Sequence, residues 1–274
     1  MERTFLPVFA VNRFNLIRKL DAIQGDFGVL GTTIESDNFL NGLRQLGKPL
    51  FIDSGVFETG RNAWYQTTLS VFQDGRWIRE NRLSDVKLLK KWIGDFLDRC
   101  EKFNPDYVFA PDILNEPILS LYLARLAWEI YSSKNYGYQL IGVVQVGHSL
   151  YNWQSTDAPQ LDGLPPYFST AKSFLSPLIS EYRNLGYQYV ALGGLLKADS
   201  TMPTGLKFGL SNEKLDDLLG WSRPNFVLGG LALSRLEILK KHNVWADSSN
   251  WLWWDKRYDF KRFGHRNVLQ EVVN

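Results

Sequence analysis

Four side chains stand out by type and place: Asp53 in PLFIDSG, Asp112 in YVFAPDIL, Gln145 in LIGVVQVGH and Asp247 in VWADSS. Each closes a short apolar run. Two glycine pairs do the same, Gly193-Gly194 before Leu195 and Gly229-Gly230 before Leu231. Several carboxylates at one place suit nucleophilic and acid–base chemistry, in which one group attacks carbon and another moves a proton. A single Asp in such a position also serves as a helix N-cap. Three of them, beside glycines that let a ligand approach the backbone closely, point to a ligand rich in donors. A guanine-like base fits. Its N1–H and exocyclic amine donate to a carboxylate, and its O6 accepts from a carboxamide or a backbone N–H. A further carboxylate is then left to act on the sugar. The Gly-Gly-Leu runs also have a plainer reading as tight packing, which is stronger at 229–230 than at 193–195.

Residues that act together must be brought together, and the runs that carry them show how. LPVFAV (6–11), FGVLGTTI (27–34), PLFIDSG (49–55), YVFAPDIL (107–114), LIGVVQVGH (140–148), YVALGGLL (189–196), NFVLGGLAL (225–233) and VWADSS (244–249) are short and continuously apolar. Strands buried on both faces read this way. Helical spacing fills most of the gaps. Leu88, Leu89, Trp92, Ile93, Phe96, Leu97 and Cys100 form one stripe behind Ser84 as N-cap, so Cys100 is expected to be a core thiol. Pro117 opens a second helix, with Leu119, Tyr122, Leu123, Leu126, Ala127 and Ile130 on its buried face. A third runs from about Thr170 to Leu185 and stops at Gly186. Ser234 and Glu237 have capping-box spacing for a fourth.

Eight buried strands alternating with helices predict an α/β chain, a (β/α)8 TIM barrel forming a single domain over 1–274. An open doubly wound sheet is the second choice. Asp74-Gly75 between TTLSVFQ and RWIRE predicts a β-hairpin insertion after strand three. The Pro/Gly-bearing segment 149–168 reads as an irregular loop after strand five. Strand ends at the C-terminal face of such a barrel are where active sites are built.

Composition narrows the function classes. The chain has 274 residues, a net charge of +2, one cysteine and three histidines. An intramolecular disulfide framework is excluded, and so is a multi-cysteine zinc site; no metal and no cofactor are expected. No run of 18 apolar residues predicts a membrane span, and MERTFLPVFAVNRF lacks the order of a signal peptide. The expectation is a soluble cytoplasmic protein (in the host cytoplasm if viral).

FIDSGVFE, APDIL, GVVQVGH, ALGGL and WADSSNW, in that order, resemble the tRNA-guanine transglycosylase superfamily. The matches fall on strands three, four, five, six and eight. Some features depart from the tRNA-acting members. The Cys3His zinc site is missing, the chain is short, Val56 and Glu58 replace Gly and Gln of the strand-three motif, and strand eight continues Ser-Ser-Asn-Trp. The compact form looks like the phage and bacterial transglycosylases that put 7-deazaguanine derivatives into DNA. The resemblance implies exchange of guanine in DNA for a 7-deazaguanine base. Asp247 would be the nucleophile and Asp53 the general acid/base. Asp112, Gln145, Gly193, Gly194 and Leu195 would hold the base, with Phe109 and Phe57 as wall residues and Trp245 and Trp251 limiting water. The DNA partner would be single-stranded or have its guanosine flipped out. The basic C-terminal segment 255–274, read as helical, offers Lys256, Arg257, Lys261, Arg262 and Arg266 to phosphates. Exchange on tRNA, or a non-catalytic nucleic-acid-binding role, are the competing readings.

Overall fold

The computed structural model describes residues 4–54, 71–73, 76–78, 86–113, 117–146, 171–195, 211–248, 251 and 272–273. Eight parallel strands close into a barrel: β1 (Pro7–Ala10), β2 (Gly28–Thr32), β3 (Leu50–Asp53), β6 (Tyr107–Phe109), β7 (Gln139–Gln145), β8 (Tyr189–Gly193), β9 (Phe226–Val227) and β10 (Trp245–Ser248). Around the ring the order is β1-β10-β9-β8-β7-β6-β3-β2. Two further strands, β4 (Val71–Gln73) and β5 (Arg76–Ile78), pair antiparallel with Gln73 opposite Arg76. All eight apolar runs thus supply barrel strands. β2 is buried at every position, as a strand covered on both faces must be.

The helices are α1 (Phe14–Asp21), α2 (Asp37–Arg44), α3 (Val86–Glu101), α4 (Pro117–Ser133), α5 (Ala171–Leu185), α6 (Asn212–Ser222) and α7 (Leu236–Lys241). Their starts and stops follow local chemistry. Ser36 accepts the Phe39 N–H at 3.3 Å to cap α2, and Ser211 accepts that of Lys214 at 3.3 Å to cap α6. Pro117 opens α4, where its missing N–H is not needed. Leu89, Ile93, Leu97 and Cys100 of α3 are buried against the barrel, and burial pushes the Cys100 thiol well above its ordinary range. Cys100 is a core thiol. The Ser234/Glu237 capping box does not form. Leu233–Arg235 wind instead as a 3-10 turn, Arg235 occupies the N-cap of α7, and no side chain caps either element. The tighter turn breaks the spacing the box needs. No helix among the described residues is long and apolar enough to cross a membrane.

Two cores result. Outside the barrel, helix stripes pack against the outward strand residues, Phe9, Val29, Ile52 and Val108 among them. Inside it lie Val8, Leu30, Phe51, Phe109, Ile141, Val143, Ala191 and Phe226, bordered by Tyr107, Tyr189 and Trp245. Because side chains alternate along a strand, this inner set fixes which later residue of each strand faces inward.

Candidate active site at the C-terminal rim

One step of two residues beyond the inner apolar set brings polar groups to the inner face. Phe51 is followed by Asp53, Val143 by Gln145, Ala191 by Gly193 and Trp245 by Asp247. The register agrees: Asp53 pairs with Thr32, Gln145 with Gly193, and Asp247 with the inward-facing Val8. Asp112 follows β6, beyond the strand end. Read around the ring from β10 to β3, six neighbouring strands contribute Asp247, Gly229, Gly193-Gly194, Gln145, Asp112 and Asp53 in turn. The remaining arc, from β2 and β1, offers Thr32 and Ala10. The rim is therefore polar on one continuous side.

These groups are held, not merely present. Asp112 and Gln145 are buried, and the Gln145 Nε2 donates to Asp112 Oδ2. Gly193 makes room for that amide: a Cβ there would lie 2.5 Å from Gln145 Nε2. Asp53 Oδ1 accepts its neighbour's N–H, Ser54, at 2.7 Å, and its carbonyl accepts from Thr33 N–H at 3.0 Å. Asp247, also buried, accepts the Gly229 N–H on Oδ1 at 2.7 Å, while its carbonyl accepts from Leu231 N–H at 3.0 Å. Both carboxylates thus accept backbone donors, which hold a rotamer.

Burial pushes the Asp112 carboxyl up to about 8; the charge of Asp53 adds to the rise and the Gln145 hydrogen bond opposes it. The Asp112 carboxyl is therefore held toward its protonated form. A buried carboxyl group held toward its protonated form near a second carboxylate has the character of an acid–base device.

The structure brings together Asp53, Asp112, Gln145, Gly193, Gly194 and Asp247; the Leu195 side chain is buried in the outer core instead. The structure also moves three aromatic residues away from the roles expected of them. Trp245 faces inward two residues below Asp247, its indole N–H donating to Thr4 O at 3.0 Å, its ring 5.1 Å from Tyr107 and 5.9 Å from Tyr189. It is part of the barrel floor and cannot wall the rim. Trp251 packs on the outer face of β1, its ring 5.4 Å from Phe9 and its N–H given to Ala10 O at 2.8 Å. Phe109 is fully buried, its ring 4.9 Å from Phe226, so it supports the site from beneath. Phe57, Lys256, Arg257, Lys261, Arg262 and Arg266 lie outside the described residues.

Two participants take roles that the sequence does not assign them. Gly229 stands at φ +65°, a backbone region that favours glycine, and aims its N–H at Asp247. Its neighbour Gly230 does answer to packing, since a Cβ there would meet Val227 Cγ1 at 2.1 Å. Arg235 is buried and donates from Nη1 to Leu195 O at 2.6 Å. In the sequence it is one more basic residue on an amphipathic helix, and nothing there marks it. The strand-end position of Gly229 is a signal, outweighed there by the packing reading. No family model matches this chain, and no curated protein matches it in sequence.

Proposed function

We propose that the chain is a base-exchange transglycosylase that replaces guanine in DNA by a 7-deazaguanine derivative. One observation carries the reading: three carboxyl groups, a carboxamide and a glycine-lined strand end occupy one continuous arc of a barrel's C-terminal rim. A sugar-cleaving barrel also needs paired carboxyl groups. The amide bound to Asp112 and the Gly193–Leu195 strand end suit a planar base with donors on one edge and an oxygen on the next.

In this mechanism the target guanine offers N1–H and its amine to Asp112, and O6 accepts from Gln145 and the Gly194 N–H. Two donors favour the Asp112 carboxylate, so its proton passes to the adjacent Asp53. Asp247 Oδ attacks C1′; the C1′–N9 bond breaks and its electron pair leaves with guanine, which takes the Asp53 proton. The product is a glycosyl ester on Asp247. The incoming base gives its N9 proton to Asp53, N9 attacks C1′, and the ester bond breaks, regenerating the carboxylate. Two displacements give net retention, and each is easier than the single exchange. A floor of buried aromatic residues excludes water from below, which protects the ester from hydrolysis.

DNA is the proposed polymer because the strand-eight continuation Ser-Ser-Asn-Trp resembles that of the DNA-acting transglycosylases. The β4–β5 pair is read as an insertion after the third barrel strand, on the face where the polymer approaches. Arg257, Lys261 and Arg262 in the C-terminal segment would meet its phosphates. The test is incubation with radiolabelled guanine and duplex DNA, single-stranded DNA or tRNA. The reading expects label in DNA; label in tRNA alone reassigns the polymer, and label in none removes the function.

A further inference from the structure

The segment 229–235 touches both halves of the rim. At one end, Gly229 N–H fixes the Asp247 carboxylate at 2.7 Å and Leu231 N–H fixes the Asp247 carbonyl at 3.0 Å. At the other end, Arg235 reaches across to the β8 strand end and donates to Leu195 O at 2.6 Å. Arg235 is 1% exposed. Burying a guanidinium costs free energy unless its hydrogen bonds return it, and an apolar residue would fill the same place at lower cost. Its carbonyl partner closes the Gly193–Leu195 run, where Gly194 adopts φ +77°. Glycine's missing Cβ is what permits that conformation and others beside it; a charge-assisted bond at the far end selects one.

We propose that Arg235 is a positioning residue: it latches the Leu195 carbonyl so that the Gly193–Leu195 strand end keeps a fixed place relative to the Asp247 carboxylate held by the same segment. The inference rests on the base-exchange reading and extends it. The nucleophile marks where C1′ must sit, and the Gly194 N–H marks where O6 must sit. The short strap between them sets the span of one nucleoside. Without the latch both groups are still present but one is misplaced against the other, a defect that costs base recognition before it costs polymer binding.

The test compares Arg235→Met with Arg235→Lys in the full chain. Lysine keeps the charge and one donor; methionine keeps only bulk. Measured quantities are labelled-guanine binding by equilibrium dialysis, KM for free base, KM for DNA, and the melting temperature. The expected result is a rise of about tenfold or more in guanine Kd and base KM for Arg235→Met, a partial return toward wild type for Arg235→Lys, and unchanged KM for DNA in both. If Arg235→Met does not fold, Arg235→Lys alone carries the test, with a base KM expected roughly threefold above wild type. Folded variants with wild-type base affinity, or base and DNA KM rising together, overturn the latch while leaving the base-exchange reading intact. Wild type that neither binds nor incorporates guanine overturns that reading and the latch with it.

Discussion

The two ends of this barrel are made by the same strands and have opposite chemistry. At the lower level, Phe51 lies 4.7 Å from Tyr107 and 5.4 Å from Phe226, and Trp245 lies 5.9 Å from Phe51. Two residues further along, on the same inner face, stand Asp53 and Asp247. The lower level buries apolar area and stabilises the fold. The upper level removes carboxyl groups from water, which costs stability unless they are neutral or well bonded. The difference teaches that one period-two pattern holds both the foundation and the site, and that substitutions one step apart should have effects of opposite sign.

The largest effect is expected at the rim and on rate alone. Asp247→Asn keeps the side-chain shape and removes the proposed nucleophile, so exchange should fall by about three orders of magnitude or more. The melting temperature should hold or rise, and DNA binding should survive. A drop in stability matching the drop in rate would erase the contrast between the two ends.

The floor should respond the other way. Phe51→Ala or Phe226→Ala removes a fully buried ring and should cost about 3–5 kcal/mol, read from the midpoint of chemical denaturation. A cost under about 1 kcal/mol would mean that the aromatic layers are not the foundation of the barrel.

Asp112 sharpens the comparison through pH. In the unfolded chain its proton leaves near pH 4, about 3.9 for an ordinary Asp, while in the folded protein it is retained up to about 8. Between these values the native state binds more protons than the unfolded state, so stability falls as pH rises through that window. Asp112→Asn, neutral throughout, should remove that part of the decline and raise the melting temperature most at pH 8, while weakening guanine binding. Equal melting shifts at pH 4 and pH 8 would contradict the raised value.

Gly193→Ala should be subtler. The added methyl meets the Gln145 amide, so guanine affinity should drop by roughly tenfold with little change in melting temperature, because the amide end can swing aside. Unchanged affinity would detach Gln145 from base recognition. The smallest effect belongs to the basic segment. Replacing Arg257, Lys261 and Arg262 by Ala should flatten the salt dependence of DNA binding, by about one unit of slope for each phosphate no longer neutralised, and leave free-base binding alone. An unaltered slope would return 256–266 to an ordinary solvated surface.

Much of this was legible because barrel strands are covered on both faces. YVALG or LIGVV has nowhere to place a polar residue until the strand leaves the core, so the first polar residue marks the rim. Trp245 shows the same rule left unused: a Trp two residues before an inward Asp must also face inward, one layer down. Other features were not legible, for physical reasons. The 3-10 turn at Leu233–Arg235 ends on a residue whose acceptor, Leu195, lies forty residues back in the chain. The Gly229 bond to Asp247 likewise joins groups that sequence spacing cannot relate. Asp112 shows as a strand-end acid, but its raised value comes first from burial and then from the charge of Asp53, and only closure of the ring through β3 and β6 supplies both.

The central claim is that Asp247 forms a covalent bond to the sugar. Wild type and Asp247→Asn are mixed with end-labelled DNA, quenched in denaturant and run on a denaturing gel, with intact-protein mass to confirm the linkage. Wild type should give a labelled protein–DNA band that diminishes when excess guanine is added, since the base reverses the ester, and Asp247→Asn should give none. An adduct of equal yield in Asp247→Asn would place the nucleophile elsewhere and contradict this mechanism.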